Sequence, residues 1–144
     1  MKGKIIACFS CVGKTHYVVN NFDVISCIDH DMFDWKYRGQ LGNNWFDYYW
    51  VRTFQLQDKF DYVFVNAIPE VIERLDYDRD VIIFPDRDLK HFWIERAQKR
   101  NPESDFTKLL SAEWDNWIDA CYNSPAKKII LGMPHLYLSN VNFI

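Results

Sequence analysis

The strongest constraint on the fold is a regular alternation of short apolar runs with segments of helical periodicity. Each apolar run has about the length of one buried strand, and the segments between the runs carry apolar residues at three- and four-residue steps. The predicted strands cover residues 4–9, 22–28, 61–67, 81–84 and 128–131. Strands that alternate with helices pair in parallel through right-handed crossovers. The sequence therefore predicts a three-layer α/β/α domain with a five-stranded, mostly parallel sheet.

The predicted helices lie between these strands. They cover residues 14–20, 45–57, 69–75 and 89–100, and a last helix that Asn101, Pro102 and Glu103 introduce. The helix over 45–57 carries five aromatic side chains at helical spacing: Trp45, Phe46, Tyr49, Trp50 and Phe54. Such a stripe predicts core packing, and stacking on a nucleobase is the alternative.

Length and composition indicate one ordinary domain over residues 1–144. Charged residues make up 26% of the chain and the net charge is −3. A domain that wraps duplex nucleic acid by charge is usually basic, so duplex binding is disfavoured. No apolar run approaches the roughly 18 residues of a membrane span, and the N-terminal run is too short for a signal peptide. We therefore expect a cytoplasmic protein that does not enter the membrane.

The loop after the first strand carries the most specific motif. It reads Cys8-Phe9-Ser10-Cys11-Val12-Gly13-Lys14-Thr15, and its end matches the phosphate-binding P-loop, G-x-x-x-x-G-K-[ST]. In that motif backbone N–H groups converge on phosphate, the lysine reaches the β and γ phosphates, and the hydroxyl binds Mg²⁺. Cys8 stands at the first glycine of the motif, and a left-handed backbone there would cost about 1–2 kcal/mol.

Two other interpretations of this loop remain open. The Gly-Lys-Thr tripeptide can arise by chance, although its place between a strand and a helix favours the P-loop. Cys8 and Cys11 also form a C-x-x-C pair, which in a thioredoxin-like fold would be a redox site. A zinc site is less favoured, because it needs about four ligands and the sequence holds no second close cysteine pair.

The chain resembles the nucleoside and nucleotide kinase branch of the P-loop superfamily, and especially the short kinase-like proteins that bacteriophages encode. The resemblance rests on the stretches CFSCVGKT, DHD, DYVFVNAIPEVIERL, FPDRDLKHFWIERAQKR and KKIIL. It implies a P-loop kinase-type fold. It also implies phosphoryl transfer from ATP, with Mg²⁺, to a nucleoside monophosphate or a similar small acceptor.

The resemblance also implies roles for individual residues. Cys11, Val12, Gly13, Lys14 and Thr15 would bind the nucleotide phosphates, and Thr15 would ligate Mg²⁺. An acidic pair after the second strand, Asp29 and Asp31, would hold the acceptor or the hydrated Mg²⁺, with Asp31 as the metal-binding member. One carboxylate of the pair can take the proton of the acceptor. His30 is expected to be exposed.

Three arginines form the last candidate group. Arg96 and Arg100 are four residues apart on one predicted helix, and Arg87 precedes that helix. In the kinases that the chain resembles, the segment over about 85–102 is a mobile lid, whose arginines stabilise the transferring phosphoryl group. The alternative is a solvated helix face on which Glu95 and Lys99 form surface pairs.

A second class of function remains open. A degenerate P-loop protein can bind a nucleotide or a partner protein without turning the nucleotide over. Cys8 and Cys11 favour this alternative, because glycine is common at their positions in the loop. Asn66 favours it as well, because it lies near the end of the third predicted strand, where a carboxylate would be expected.

Overall fold

The computed structural model describes residues 2–30 and 44–144. Within these ranges the chain is an α/β protein with a five-stranded, all-parallel sheet in the order β2-β3-β1-β4-β5. The strands are β1 (Lys4–Cys8), β2 (Cys27–Asp29), β3 (Tyr62–Asn66), β4 (Val81–Pro85) and β5 (Lys127–Leu131). The predicted α/β class and five-stranded parallel sheet are confirmed.

Helices flank the sheet and connect its strands. They are α1 (Lys14–Asn21), α2 (Trp45–Gln57), α3 (Pro69–Ile72), α4 (Lys90–Arg100) and α5 (Phe106–Asn123), with 3₁₀ turns at Arg87–Leu89 and Leu138–Asn140. In the described part of the chain, no helix is both long and apolar enough to cross a membrane.

Both faces of the sheet are covered at its centre. Successive strand residues point to opposite faces, yet every residue of β4 is buried, and so is β1 from Ile5 to Cys8. Continuous burial of this kind is typical of a parallel sheet between helical layers. It explains why these strands are apolar without alternation in the sequence.

The second strand is shorter than the sequence predicts. Its apolar start does not pair with the sheet, because α1 runs on to Asn21 and a turn follows, in which the Val24 and Ile25 amides donate to the Asn21 carbonyl. Phe22 and Val24 are consequently exposed. Strand pairing begins only at Cys27, opposite Tyr62 of β3.

The helices also differ from expectation in places. The helix predicted over 69–75 ends at Ile72. The last long helix has its N-cap at Asp105 instead of starting directly after Asn101–Glu103. The aromatic stripe of α2 is only partly internal, since Tyr49 and Trp50 are buried while Phe54 is 44% exposed. Thr53, Leu56 and Gln57 complete the buried side of α2.

The topology places the loop after β1 at a junction of the sheet. The chain leaves β1 toward β2 on one side and leaves its neighbour β4 toward β5 on the other. In open parallel sheets, ligands bind beyond the carboxyl ends of strands at such a topological switch point.

Candidate functional site

The loop between β1 and α1 has two residues with left-handed backbone conformation. Gly13, the N-cap of α1, has a φ of 88°, and Cys11 has a φ of 63°. A non-glycine residue in this region costs about 1–2 kcal/mol. The expectation that Cys8 could bear this strain is wrong, because Cys8 lies in β1 and Cys11 is the described non-glycine residue with positive φ.

Every carbonyl from Ser10 to Gly13 accepts a hydrogen bond from the protein. Trp93 Nε1 donates to Ser10 at 2.9 Å and Arg96 Nη1 donates to Cys11 at 3.0 Å. The Leu138 amide donates to Val12 and the Tyr17 amide to Gly13, each at 2.9 Å. By contrast, no hydrogen bond in the described ranges is donated by the backbone N–H groups of residues 10–13.

The hydrogen bonds of the loop carbonyls determine the direction in which the loop N–H groups point. The C=O and N–H of a trans peptide point in opposite directions. Carbonyls held on the side of Trp93, Arg96 and Leu138 therefore turn the following N–H groups to the opposite side of the loop. Successive unpaired N–H groups before a helix N-terminus form an arrangement that suits an anion.

Lys14 and Thr15 both contact one carboxylate at the end of β2. Lys14 Nζ lies 2.6 Å from Asp29 Oδ1, and Thr15 Oγ1 donates to Asp29 Oδ2 at 2.6 Å. The side chains of the ion pair are 8% and 12% exposed. The structure therefore brings together three residues that the sequence predicts for the site, although their mutual contact was not foreseen.

The oxygens of this cluster suit the Mg²⁺ that the sequence implies. Mg²⁺ prefers oxygen ligands and is usually held by one or two protein groups together with phosphates and water. Thr15 Oγ1 and Asp29 Oδ2 are such a pair. Asp31, the predicted metal ligand, lies outside the described residues. Within the described ranges, no group of three or more His, Cys, Asp or Glu residues could hold a metal by itself.

His30 is buried, so the expectation that it is exposed is wrong. Its ring stacks on the Tyr49 ring at 4.2 Å, and its Nε2 lies 3.1 Å from the Tyr49 carbonyl. The Tyr49 hydroxyl donates to the His30 carbonyl and accepts from the Asn66 amide. Burial lowers the pKa of His30. The contacts join α2 to the ends of β2 and β3, beside Asp29.

The three predicted arginines lie in different surroundings. Arg87 forms ion pairs with Asp115 and Asp119 of α5. Arg96 reaches the loop after β1, and Arg100 is exposed at the end of α4. Of the three, Arg96 alone contacts that loop in the described part of the chain.

The cysteines do not form a close exposed pair. Cys8 is fully buried, whereas Cys11 is half-buried in the loop, with its sulfur 3.5 Å from the Ser10 hydroxyl. All four cysteines are free thiols. Burial raises the pKa of Cys121 to about 12.

Comparison with family models, with curated proteins and with solved structures finds no match to this chain.

The sequence did not identify two of the groups that donate hydrogen bonds to the carbonyls of the loop after β1. Trp93 lies on the predicted helix over 89–100 but is not among the candidate site residues, and Leu138 lies outside all the predicted elements. The donors are an indole N–H and a backbone N–H. Neither group carries a sequence signature of its own.

Proposed function

We propose that this chain is a P-loop-type nucleotide-binding protein that transfers a phosphoryl group from ATP to a small acceptor. One observation carries the proposal: the four N–H groups of residues 10–13 have no partner among the described residues, while Lys14 and Thr15 follow directly. The strand–loop–helix order and the position at the switch point support it.

Each residue of the proposed site has its own role in binding and transfer. The N–H groups from Cys11 to Thr15 bind phosphate oxygens, and Lys14 neutralises charge on the β and γ phosphates. Thr15 and Asp29 would hold Mg²⁺, because each offers an oxygen ligand and the two oxygens lie 2.6 Å apart. The bound metal would neutralise charge on the phosphates. The acceptor lies toward α2, and Asp29 can take its proton. Asp31, the other carboxylate of the predicted pair, lies outside the described residues.

Binding without turnover is the alternative, and one observation favours it. β3 ends in Asn66, which offers an amide in place of a carboxylate. The contacts of Lys14 and Thr15 with Asp29 do not distinguish the two functions, because a nucleotide has to compete with that carboxylate in either case. The kinase proposal additionally requires an acceptor, such as a nucleoside monophosphate, and a three-layer kinase-type arrangement.

The first experiment measures unfolding midpoints with ATP, ADP and AMP, with and without Mg²⁺. A nucleotide at about 100 times its Kd should stabilise the folded protein by about 2.7 kcal/mol. We expect this stabilisation for the wild-type protein and not for Lys14→Met. Lys108→Met, an exposed lysine on α5, is the matched control. Because Lys14→Met removes the ion pair between Lys14 and Asp29, Lys14→Met/Asp29→Asn serves as the second variant.

A nucleotide titration that is unchanged in both folded Lys14 variants would overturn the proposal. Turnover is tested separately, by following ADP release from ATP with a panel of nucleoside monophosphates and nucleosides. ADP release that requires an acceptor supports the kinase. Tight nucleotide binding without ADP release in the presence of any acceptor supports binding without turnover.

A further inference from the structure

Arg96 is fixed between two aromatic rings and three backbone carbonyls. Its Cζ lies 3.8 Å from the centroid of the Trp93 ring and 3.8 Å from that of Tyr137. Nη1 donates to the Cys11 carbonyl at 3.0 Å, and Nη2 donates to the carbonyls of Pro134 and Leu136 at 2.8 and 2.7 Å. The planar guanidinium suits this combination, since it can stack on rings and donate from its edge at once.

These contacts join three parts of the chain at the candidate site. Arg96 lies on α4, Cys11 lies in the loop after β1, and the other two carbonyls lie in the segment after β5. Tyr137 in that segment also closes over Gly13, because a Cβ atom built there would lie 3.2 Å from Tyr137 Cδ1. The left-handed backbone of Cys11 and Gly13 is thus held by α4 and the C-terminal segment.

The charge of Arg96 is not neutralised by a carboxylate within the described ranges. Its hydrogen-bond acceptors there are carbonyl oxygens. Donation by a cation to the Cys11 carbonyl polarises that peptide unit, whose other end is the N–H of Val12. A polarised and correctly directed N–H is a stronger donor to an anion.

We infer that Arg96 is a positioning residue, which holds the loop in its anion-binding conformation and polarises the Val12 N–H from behind. This inference rests on the proposed phosphate site. In this role Arg96 does not contact the transferring phosphoryl group, as the resemblance implies, but acts through its hydrogen bond to the Cys11 carbonyl. That hydrogen bond does not depend on which acceptor the protein uses.

The test compares Arg96→Lys with Arg79→Lys. Lysine keeps the charge but cannot donate in a fork or stack as a plane. Arg79 is a matched control, because it also donates to a backbone carbonyl, that of Lys2, outside the loop and the segment that Arg96 joins. Two readouts are used on folded protein: calorimetric binding of inorganic tripolyphosphate without Mg²⁺, and the rate at which iodoacetamide labels each cysteine.

For Arg96→Lys we expect tripolyphosphate to bind about tenfold more weakly, because the Val12 N–H is no longer held and polarised. Cys11 should be labelled several times faster, while the buried Cys121 stays unlabelled in both variants as an internal reference. Arg79→Lys should match the wild-type protein in both readouts. If Arg96→Lys fails to fold, Tyr137→Ala removes one stacking ring at a partly exposed position, and Tyr137→Phe is its control.

The outcomes separate this inference from the proposed function. A folded Arg96→Lys protein that melts earlier but binds tripolyphosphate like the wild type would make Arg96 structural only and overturn the inference. If wild-type protein binds neither tripolyphosphate nor nucleotide, the proposed function fails. In that case an unchanged Cys11 labelling rate in Arg96→Lys would show that Arg96 does not hold the loop either.

Discussion

At the scale of single residues, Asp29 is the group on which the candidate site depends. One carboxylate binds the ammonium of Lys14 and the hydroxyl of Thr15, each at 2.6 Å. Both partners are groups that a nucleotide would use. The carboxylate therefore competes with phosphate for Lys14, and Mg²⁺ can relieve that competition because the cation attracts the same carboxylate.

This competition predicts how Asp29→Asn behaves. The neutral amide no longer competes for Lys14 by charge, so ATP should bind about fivefold to tenfold more tightly without Mg²⁺. The same variant should lose most of the gain that Mg²⁺ gives to the wild-type protein. Calorimetric titration of ATP with and without Mg²⁺ measures both effects.

Asp23→Asn, at an exposed turn before β2, is the control for the change of net charge. The competition is refuted if Asp29→Asn and Asp23→Asn respond alike to Mg²⁺.

At the scale of elements, the contacts of α4 bear on the lid that the resemblance implies. Trp93 is fully buried and Ala97 is buried beside it, while the Trp93 indole donates to the loop after β1. Arg96 adds its three hydrogen bonds from the same helix. A helix with this number of buried contacts opens with a high free energy. These contacts favour a fixed wall behind the loop over a lid that closes across it.

Hydrogen exchange distinguishes a fixed wall from a lid. We expect the amides of residues 94–97 in α4 to exchange as slowly as those of β4, both with and without ATP and Mg²⁺. The amide of the exposed residue Glu103, which donates no hydrogen bond within the described ranges, supplies the fast-exchanging reference. Fast exchange in α4 without nucleotide, followed by slow exchange with it, would support the lid and contradict the fixed wall.

At the scale of the whole molecule, Asp80 ties the central strand to the turn before β4. Its carboxylate accepts from the Ile5 amide and from the Asp76 amide, both at 2.8 Å, and the residue is only 3% exposed. Burial raises the pKa of the Asp80 carboxyl. Because β1 is the middle strand of the sheet, loss of this contact should affect global unfolding.

Asp80→Ala leaves the amides of Ile5 and Asp76 without their acceptor, so the free energy of unfolding should fall by about 1–3 kcal/mol. The folded pKa is raised, so the folded protein binds this proton more tightly than the unfolded chain does. The contribution of Asp80 is then largest below the ordinary aspartate pKa, and it decreases as the pH rises through the raised value. Urea unfolding at about pH 4.5 and pH 7 measures the difference.

Asp78→Ala, an exposed neighbour, should change the free energy of unfolding by less than about 0.5 kcal/mol. A cost of Asp80→Ala that grows from acid to neutral pH would contradict the assigned direction of the pKa shift.

The sequence alone determined the elements and their order. Apolar runs flanked by turn residues predict strands, and the period of the intervening segments predicts helices, because both signals are local. The helix over 45–57 was predicted with the bounds it has. The loop after β1 was also identified, because the Gly13-Lys14-Thr15 tripeptide lies between a strand and a helix. The strand predicted over 22–28 started too early, because it relied on the β propensity of residues such as Phe22 and Val24. In the structure the backbone hydrogen bonds of this segment belong to the end of α1 and the turn that follows.

Only the tertiary structure decided what each candidate side chain contacts. Arg96 and Cys11 are 85 residues apart in sequence, and Lys14 and Asp29 are 15 apart. Such pairs form because the parallel sheet brings separate strand ends and the helix after β4 to one edge, and no local pattern encodes that meeting. The left-handed position at Cys11 instead of Cys8 has the same origin. The conformation of the loop depends on hydrogen bonds that α4 and the C-terminal segment donate to the loop carbonyls. These donors lie far from the loop in the sequence.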